Sequence, residues 1–314
     1  MSQQSPTVSV IIPAYNAAAF IGETLDSVYA QTFTDFETIV VNDGSPDTEE
    51  LERALQRFPP SLRYLKQENS GAAAARNTGI RAAQGEFVAF LDADDTWLPE
   101  FLEKQVGVLD REHADVVWAD ARLYGESPLA GRTFMEVQPS HADVTPENLL
   151  SVKVTVLTST VVARRQPILD VGLFDVELRR GQDFELWLRL ARHGCRFVYQ
   201  DEVLAHRRLV ENSLSGGVMS QLGRTLSVIE AIKAKGDLTA SEEAAMQVNW
   251  RRARRELALE TGKEKLRERD FSGALESFRE ASKFRQSWKL VLVCLGLRAA
   301  PEFVWRLYHG RAMD

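Results

Sequence analysis

The sequence contains few cysteines, no long apolar run and no excess of positive charge. Its 314 residues include only two cysteines, Cys195 and Cys294, too few for a disulfide framework and without the spacing of a metal site. No apolar stretch reaches the roughly 18–20 residues that span a bilayer. Residues 1–10 have neither the basic nor the apolar segment of a signal peptide. The net charge of −7 argues against general nucleic-acid binding. These absences favour a globular protein in a reducing, cytoplasmic setting.

Strand-like and helix-like segments alternate through the first half of the chain. Short apolar runs rich in β-branched residues predict strands, and each is followed by a segment with helical spacing. This alternation predicts an α/β fold with a doubly wound, mostly parallel sheet. Later in the chain, further strands and one amphipathic helix are predicted. The predicted strands include residues 8–12, 36–41, 62–66, 86–91, 115–121 and 155–163, and the amphipathic helix covers residues 181–193.

The pattern changes near residue 215, which predicts an α/β domain over residues 1–215 and a helical C-terminal extension over residues 216–314. Residues 251–314 hold 15 Lys and Arg against 9 Asp and Glu, so a basic end follows an acidic body. Residues 289–311 combine apolar, aromatic and basic side chains. That composition suits an interfacial helix on anionic lipid. It also suits packing on the main domain or a dimer contact.

Three carboxylates come directly after the predicted strand at residues 86–91. They belong to Asp92, Asp94 and Asp95. Carboxylates this close repel one another unless a cation or hydrogen-bond donors offset the repulsion. Ligands of open α/β sheets lie outside the carboxyl ends of the strands. Mg²⁺ prefers one or two carboxylates together with phosphate oxygens. The pattern therefore predicts a metal–diphosphate site held by Asp92 and Asp94. The alternative is an acidic turn in which Asp95 caps a helix that opens at Trp97.

Four stretches of the chain carry the motifs of a known family, in that family's order and at ordinary spacing. They are VSVIIPAYNAAAFIGETLDSVYAQTF, IVVNDGSPD, GAAAARNTGIRAAQGEFVAFLDADD and GLFDVELRRGQDFELWLRLARHG. Together they resemble the large family-2 group of inverting glycosyltransferases with the GT-A fold, over about residues 7–215. The resemblance implies a nucleotide-sugar donor bound at the carboxyl ends of the first strands.

The resemblance also assigns roles around this donor. Right-handed crossovers would bring Asp43 and Asp92 to the same sheet edge. By family analogy, Asp43 would accept a hydrogen bond from the base and Arg76 would help hold the base or diphosphate. Asp92 would contact the ribose or a metal-bound water, and Asp94 would ligate Mg²⁺ or Mn²⁺ directly. A cation across the two phosphates makes the nucleoside diphosphate a better leaving group. The residues expected to border the nucleoside are Pro13, Ala14 and Tyr15.

The resemblance places the acceptor side of the site on the helix at residues 181–193. Asp183 would be the general base that takes the proton of the acceptor hydroxyl. A purely structural alternative is an aspartate favoured by the positive end of the helix. The family usually has Glu-Asp here, whereas this chain has Gln182-Asp183, so Gln182 would hydrogen-bond an acceptor hydroxyl. Trp187 would be a platform on which a sugar stacks, or else a core aromatic.

The chain departs from the family after the amphipathic helix. Many relatives carry a basic segment with a histidine shortly before a Ser-Leu-Ser-like turn. In this chain Val210 falls where that histidine would be, and His206 lies four residues earlier. His206 is therefore the candidate for a third metal or phosphate ligand. Arg207 and Arg208 are candidate diphosphate contacts, because guanidinium groups match phosphate geometry.

These observations together predict an inverting, metal-dependent glycosyltransferase. It would move a sugar from a nucleotide-diphosphate donor to a hydroxyl of a glycan or lipid-linked acceptor, and a UDP-sugar is the donor that we expect. The reaction would belong to polysaccharide or cell-envelope biosynthesis. The C-terminal helices would hold it peripherally at the cytoplasmic face of a membrane. One alternative is a nucleotidyltransferase, which the absence of Gly and Lys from the loop PAYNAAAF disfavours. The other is a catalytically degenerate scaffold, which the intact aspartates at positions 43, 92, 94 and 183 disfavour.

Overall fold

The computed structural model describes residues 5–140, 142–178, 180–209, 218–285 and 287–310, and the strands among them form a single eight-stranded sheet. The strands are β1 (Val8–Ala14), β2 (Phe36–Asp43), β3 (Arg63–Gln67), β4 (Phe87–Phe90), β5 (Thr96–Trp97), β6 (Val116–Gly125), β7 (Val161–Arg164) and β8 (Phe197–Leu209). Their order across the sheet is β3-β2-β1-β4-β7-β6-β8-β5. The pairs β1–β2, β1–β4, β2–β3 and β6–β8 are parallel, and the remaining neighbours are antiparallel. The predicted α/β fold with a mostly parallel sheet is confirmed.

Helices cover both faces of this sheet, so its central strands, such as β1 and β4, are buried on both sides. In β1, Val10 and Ile12 belong to the apolar cluster that contains buried side chains of helix α1 (Ile21–Tyr29). Ile11 belongs to the cluster on the opposite face, with buried side chains of helix α3 (Gly71–Ala82). Helix α3 lies so close to the sheet at Gly79 that an added Cβ there would stand 2.4 Å from the Ile11 Cγ2. The helices are α1 (Ile21–Tyr29), α2 (Thr48–Leu55), α3 (Gly71–Ala82), α4 (Phe101–Arg111), α5 (Phe134–Val137), α6 (Pro146–Leu150), α7 (Arg165–Asp170) and α8 (Gln182–Arg192).

The helix predicted to open at Trp97 begins later than expected. Thr96 and Trp97 instead form β5, which pairs antiparallel with β8. The Trp97 ring stacks on Phe101 with their centroids 4.2 Å apart, and α4 begins only at Phe101. Burial of this ring favours the extended conformation over another helical turn.

The strand predicted over residues 155–163 is also only partly correct. Residues Thr158–Thr160 form one turn of 3-10 helix, and β7 starts after it at Val161. The one proton of the Thr160 hydroxyl is shared between the backbone oxygens of Ala119 and Leu157, at 2.8 and 2.9 Å. These hydrogen bonds stabilise a turn where apolar, β-branched composition alone predicts continuous strand.

The chain divides into two compact units, residues 1–213 and 214–314. The second unit contains the helices α9 (Val218–Lys235), α10 (Ala240–Arg267), α11 (Phe271–Phe284), α12 (Trp288–Ala299) and α13 (Pro301–Gly310). Thr239 and Glu242 form a capping box at the start of α10, and Asp270 caps α11. Within the described ranges, no helix is both long and apolar enough to cross a membrane. The boundary predicted at residue 215 and the position of Val210 lie outside the described residues.

Candidate active site

The acidic loop, residues 92–95, connects β4 to β5 and is held by hydrogen bonds from several elements. The Asp95 backbone N–H donates to the Asp92 carbonyl at 3.1 Å, which closes a turn. From α1, the Thr24 hydroxyl donates to the Ala93 carbonyl at 2.8 Å. From β8, the backbone N–H of Arg208 donates to the Asp95 carboxylate at 2.8 Å. The loop is therefore fixed in place before any ligand arrives.

The carboxylates of Asp94 and Asp95 lie in an environment that disfavours their charge. Burial, followed by the charge of Asp92, raises the pKa of Asp94, although Arg207 and Arg208 oppose the rise. Burial and the charges of Asp92 and Asp94 raise the pKa of Asp95 to about 8. A divalent cation placed among these groups would stabilise their charged forms. The crowded carboxylates thus fit a metal that completes its coordination with phosphate oxygens.

Arg76 contacts the acidic loop directly. Its Nη2 donates to the Asp92 Oδ1 at 2.5 Å, and the Arg76 residue is only 5% exposed. The guanidinium also lies 5.6 Å from the centre of the Phe174 ring. The Arg76 charge therefore offsets part of the repulsion within the loop. Its described polar contact is with Asp92 and not with Asp43.

The 3-10 turn at Thr158–Thr160 joins the acidic loop to the start of α8. The Thr158 hydroxyl donates to the Asp183 Oδ2 at 3.0 Å, while the Phe184 backbone N–H donates to the Asp183 Oδ1 at 2.8 Å. The hydroxyl oxygen of the next residue, Ser159, accepts from the Asp92 backbone N–H at 3.4 Å. Consecutive residues of one turn thus contact the proposed base and the proposed metal loop.

Asp43 ends β2 and orients the first residues of α3. Its Oδ1 accepts from the Gln67 side chain at 2.7 Å and from the Ser70 backbone N–H at 2.9 Å. Its Oδ2 accepts from the Gly71 backbone N–H at 2.8 Å, and the residue is 3% exposed. These contacts give Asp43 a structural role, and its Oδ2 keeps one lone pair for a further donor.

The residues predicted to border the nucleoside lie where β1 ends, beside the end of β2. Pro13 and Ala14 pair with Val41 and Asn42, and Ala14 is fully buried. Tyr15 is 50% exposed. Of these predicted contacts, Tyr15 therefore presents the largest open surface.

The role of His206 as a third metal or phosphate ligand stays a prediction. Throughout the described part of the chain, no three His, Cys, Asp or Glu side chains come together as a metal site. His206 pairs with Thr96 in the sheet, and its ring centre lies 6.0 Å from that of Tyr124. Its place on a strand fixes it beside an aromatic neighbour.

Arg207 and Arg208, the predicted phosphate contacts, lie on β8 beside the acidic loop. The Arg208 Nε donates to the Asp94 carbonyl at 3.2 Å, and its Nη2 pairs with Glu23. The guanidinium also lies 4.6 Å from the centre of the Tyr124 ring. Arg208 therefore positions the loop. The Arg207 guanidinium lies over the Phe134 ring, 5.7 Å from the centre of that ring.

The prediction of Trp187 as a sugar platform is wrong, whereas Gln182 keeps an unsatisfied acceptor. Trp187 is 1% exposed and packs against Phe90, Phe174 and Phe197, so no sugar can stack on it in this conformation. The Gln182 Oε1 is buried and has no hydrogen-bond partner among the described residues. The helix therefore supplies a core aromatic on one face and polar groups at its start.

Thr158 and Ser159 were not predicted as site residues. Their signal in the sequence is weak: three consecutive hydroxyl residues, Thr-Ser-Thr, interrupt an apolar segment. Asn77 was also missed, although it exchanges two hydrogen bonds with the Phe174 backbone, at 2.8 and 2.9 Å. That exchange ties α3 to the GLFD motif, which precedes α8.

Comparison with known proteins now adds to this geometry. The family model described as Glycosyl transferase family 2 matches residues 9–172, more than half of the chain. The chain belongs to glycosyl transferase family 2. The family-2 match includes the acidic loop and Thr158 but ends before Asp183. The place of Asp183 in the site therefore rests on its contacts in the structure.

Family-2 relatives match the chain over different lengths. The putative teichuronic acid biosynthesis glycosyltransferase TuaG of Bacillus subtilis is 33% identical over 240 residues, which cover 74% of this chain and 91% of TuaG. An uncharacterised glycosyltransferase of Rickettsia felis is 32% identical over 195 residues, or 60% of this chain. The chain spans only about a third of the length of three Rickettsia proteins that it matches, 32% in that case, and 69% of the length of two others.

Solved structures show the same fold. TarS residues 1–349 from S. aureus, in complex with UDP, align with a TM-score of 0.60 and 20% identity, covering 98% of this chain and 91% of that chain. The mannosyltransferase PcManGT from Pyrobaculum calidifontis, in complex with GDP-Man and Mn²⁺, aligns with a TM-score of 0.62 and 18% identity. That alignment covers 98% of this chain and 85% of PcManGT.

Proposed function

We propose that this family-2 glycosyltransferase is inverting and depends on a divalent metal, and that it transfers sugar from a nucleotide-diphosphate donor to a hydroxyl. One observation carries the proposal. Thr158 donates to Asp183, and the adjacent Ser159 accepts from the Asp92 backbone. A base and a diphosphate site held by neighbouring residues of one turn would lie on either side of the reacting carbon.

Asp94 and Asp92 are the proposed metal residues. They sit in a crowded, partly buried loop in which burial and the Asp92 charge raise the pKa of Asp94. Mg²⁺ and Mn²⁺ both accept carboxylate oxygens, and the remaining ligands would come from the diphosphate and water. When bound, the cation would neutralise charge on the leaving diphosphate. Arg207, whose charge opposes the rise in the pKa of Asp94 and of Asp95, would add to this neutralisation.

Asp183 is the proposed general base. Its carboxylate would take the proton of the acceptor hydroxyl as that oxygen attacks the anomeric carbon. The new carbon–oxygen bond forms on one face of the sugar while the bond to the diphosphate breaks on the other. This single displacement inverts the configuration and needs no second, nucleophilic carboxylate. The unsatisfied Oε1 of Gln182 would accept a hydrogen bond from the acceptor.

The donor is proposed to be a UDP-sugar, whose base would lie near Asp43 and Tyr15. The remaining lone pair of the Asp43 Oδ2 can accept an N–H from the base, and Pro13 and Ala14 would border the nucleoside from β1. TarS was crystallised with UDP and with UDP-GlcNAc, and PcManGT with GDP-Man. Those complexes support a nucleotide-sugar donor in this fold and make UDP and GDP the first to test.

The acceptor is proposed to be a glycan or a lipid-linked saccharide of polysaccharide biosynthesis. TuaG is named for teichuronic acid biosynthesis, and AmsB of Erwinia amylovora, 30% identical over 220 residues, for amylovoran biosynthesis. Both names point to polymer-building pathways. A lipid-linked acceptor requires the enzyme to work at a membrane, so the proposal includes peripheral membrane contact through the C-terminal helices.

A thermal-shift experiment tests the proposal. UDP, GDP, dTDP and their common sugar conjugates are added with and without Mn²⁺. A ligand at about a hundred times its dissociation constant adds about 2.7 kcal/mol to the free energy of unfolding. We expect a metal-dependent shift for one nucleotide, lost in Asp94→Ala and kept in the control Asp110→Ala, which lies exposed on α4. No shift for any nucleotide would support a degenerate scaffold instead.

A further inference from the structure

Helix α12 has two opposite apolar faces, and within the described part of the chain only one of them is covered. Leu290 and Leu297 are buried in the core of the C-terminal unit. On the other side, large apolar residues repeat at intervals of three and four, which places them in one row along the helix. These exposed residues are Trp288 at 70%, Val291 at 50%, Leu292 at 57% and Leu295 at 53%.

Helix α13 repeats this arrangement. Val304, Trp305 and Tyr308 pack against the core cluster of the C-terminal unit. Phe303 and Leu307, four residues apart, are 61% and 53% exposed. Single exposed apolar residues are common on soluble proteins, but six large ones on two neighbouring helices mark an interaction surface. We name these six residues the apolar rows of α12 and α13.

Positive charge accompanies the apolar rows. Lys289 and Arg298 fall on either side of the row on α12, and Arg306 follows Phe303 by three residues on α13. All three are exposed, and no carboxylate of the described residues forms an ion pair with them. The one acidic residue between positions 288 and 310 is Glu302, which pairs with Arg269 at 2.8 Å.

We infer that the apolar rows of α12 and α13 dock on the surface of an anionic lipid bilayer. Apolar side chains with exposed Trp and a basic border enter the headgroup region of a membrane without spanning it. Each Lys or Arg near an anionic surface adds about fivefold to the affinity. In a symmetric contact with a second copy the same surface of both copies would meet, which brings the basic residues of one copy close to those of the other. Charge therefore favours lipid over self-association.

The biological use of this docking rests on the proposed function, in which the acceptor is linked to a lipid. The surface itself is a feature of the C-terminal unit and does not depend on that proposal. Its effect would be to concentrate the enzyme where such an acceptor is embedded. Vesicle binding and nucleotide binding can be measured separately. Failure of one therefore does not imply failure of the other.

Co-sedimentation of the full chain with vesicles tests the inference. We expect binding to phosphatidylcholine vesicles that contain about a quarter phosphatidylglycerol, and much weaker binding to phosphatidylcholine alone. Lys289→Gln/Arg298→Gln/Arg306→Gln should lower the affinity about a hundredfold. Raising the salt concentration from about 0.1 M to 1 M shortens the Debye length from about 10 Å to 3 Å, and this should release much of the protein from the vesicles.

Two further variants separate this docking from general stickiness. Leu292→Ser/Leu295→Ser should also abolish binding, because the apolar contribution is lost while every charge remains. The control Val248→Ser/Arg251→Gln changes one exposed apolar and one exposed basic residue on α10 and should bind as wild type does. Equal binding by all variants would overturn the inference. A dimer in solution that Leu292→Ser/Leu295→Ser dissociates, without vesicle binding, would identify a second copy as the occupant.

Discussion

Replacing Thr158 by valine should slow sugar transfer while leaving the fold intact. The Thr158 hydroxyl donates to the Asp183 carboxylate at 3.0 Å, and Thr158 is only 5% exposed. Apart from this bond, the described contact of the carboxylate is the backbone N–H of Phe184, its own neighbour in the chain. Valine keeps the shape of threonine but removes the donor that comes from outside the helix. The proposed base would then rotate away from the acceptor.

The size of this effect follows from the kind of hydrogen bond. A hydrogen bond to a charged group contributes about 1.5–3 kcal/mol. If about 2 kcal/mol of orientation is lost in the transition state, kcat falls about thirtyfold. Thr158→Ser, which keeps the hydroxyl, should retain most of the rate. In Asp183→Asn, the further change Thr158→Val should have little effect, because the two residues act as one unit.

Thr160 provides the matched control two residues away. Its hydroxyl proton is shared between the Ala119 and Leu157 carbonyls and contacts no proposed site residue. Thr160→Val should therefore lower Tm by several degrees, at about 2–4 °C per kcal/mol for a chain of this size, with little change in kcat per folded molecule. A Thr158→Val enzyme within threefold of the wild-type rate, or one that transfers faster, would refute the positioning argument.

Three further predictions address the metal, the core and the close packing of α3. Removing metal with EDTA should abolish the nucleotide-dependent thermal shift, and Mn²⁺ should restore it in wild type but not in Asp94→Ala. Trp187→Ala should lower the free energy of unfolding by about 3–5 kcal/mol in urea titrations, because it opens a cavity. Trp187→Phe should leave the KM for the acceptor unchanged. A tenfold rise in that KM would instead support the role of Trp187 as a platform on which the sugar stacks. Gly79→Ala should lower the free energy of unfolding by about 1–3 kcal/mol, since its Cβ would meet Ile11. A variant more stable than wild type would contradict this close packing.

The first strands and the acidic loop could be predicted because local pattern and topology agree there. The strand at residues 86–91 is short, apolar and followed at once by Asp92, so both the strand and its edge follow from the sequence. Parallel neighbours then bring the ends of β1, β2 and β4 together. Asp43 ends one of these strands, and its place at that edge needed only the handedness of the crossovers.

Contacts between distant segments could not be predicted in the same way. Thr158 lies in a segment whose composition favours a strand, and only hydrogen bonds to other elements turn it into the 3-10 turn that meets Asp183. Helical spacing indicates which face of α8 is apolar, but it does not show that Trp187 packs beneath Phe90 and Phe174. His206 lies one residue from Arg207 in sequence, yet pairing of its strand with β5 fixes its neighbours.

The anomeric configuration of the released sugar tests the central claim most directly. Water can take the place of the acceptor hydroxyl in a slow hydrolysis of the donor, so this experiment needs no known acceptor. The donor would be the α-linked nucleotide sugar that gives the largest metal-dependent thermal shift, and early products would be followed by proton NMR before mutarotation mixes them. The account predicts the β-anomer first, and none from Asp183→Asn. The α-anomer first would contradict a single inverting displacement with Asp183 as its base.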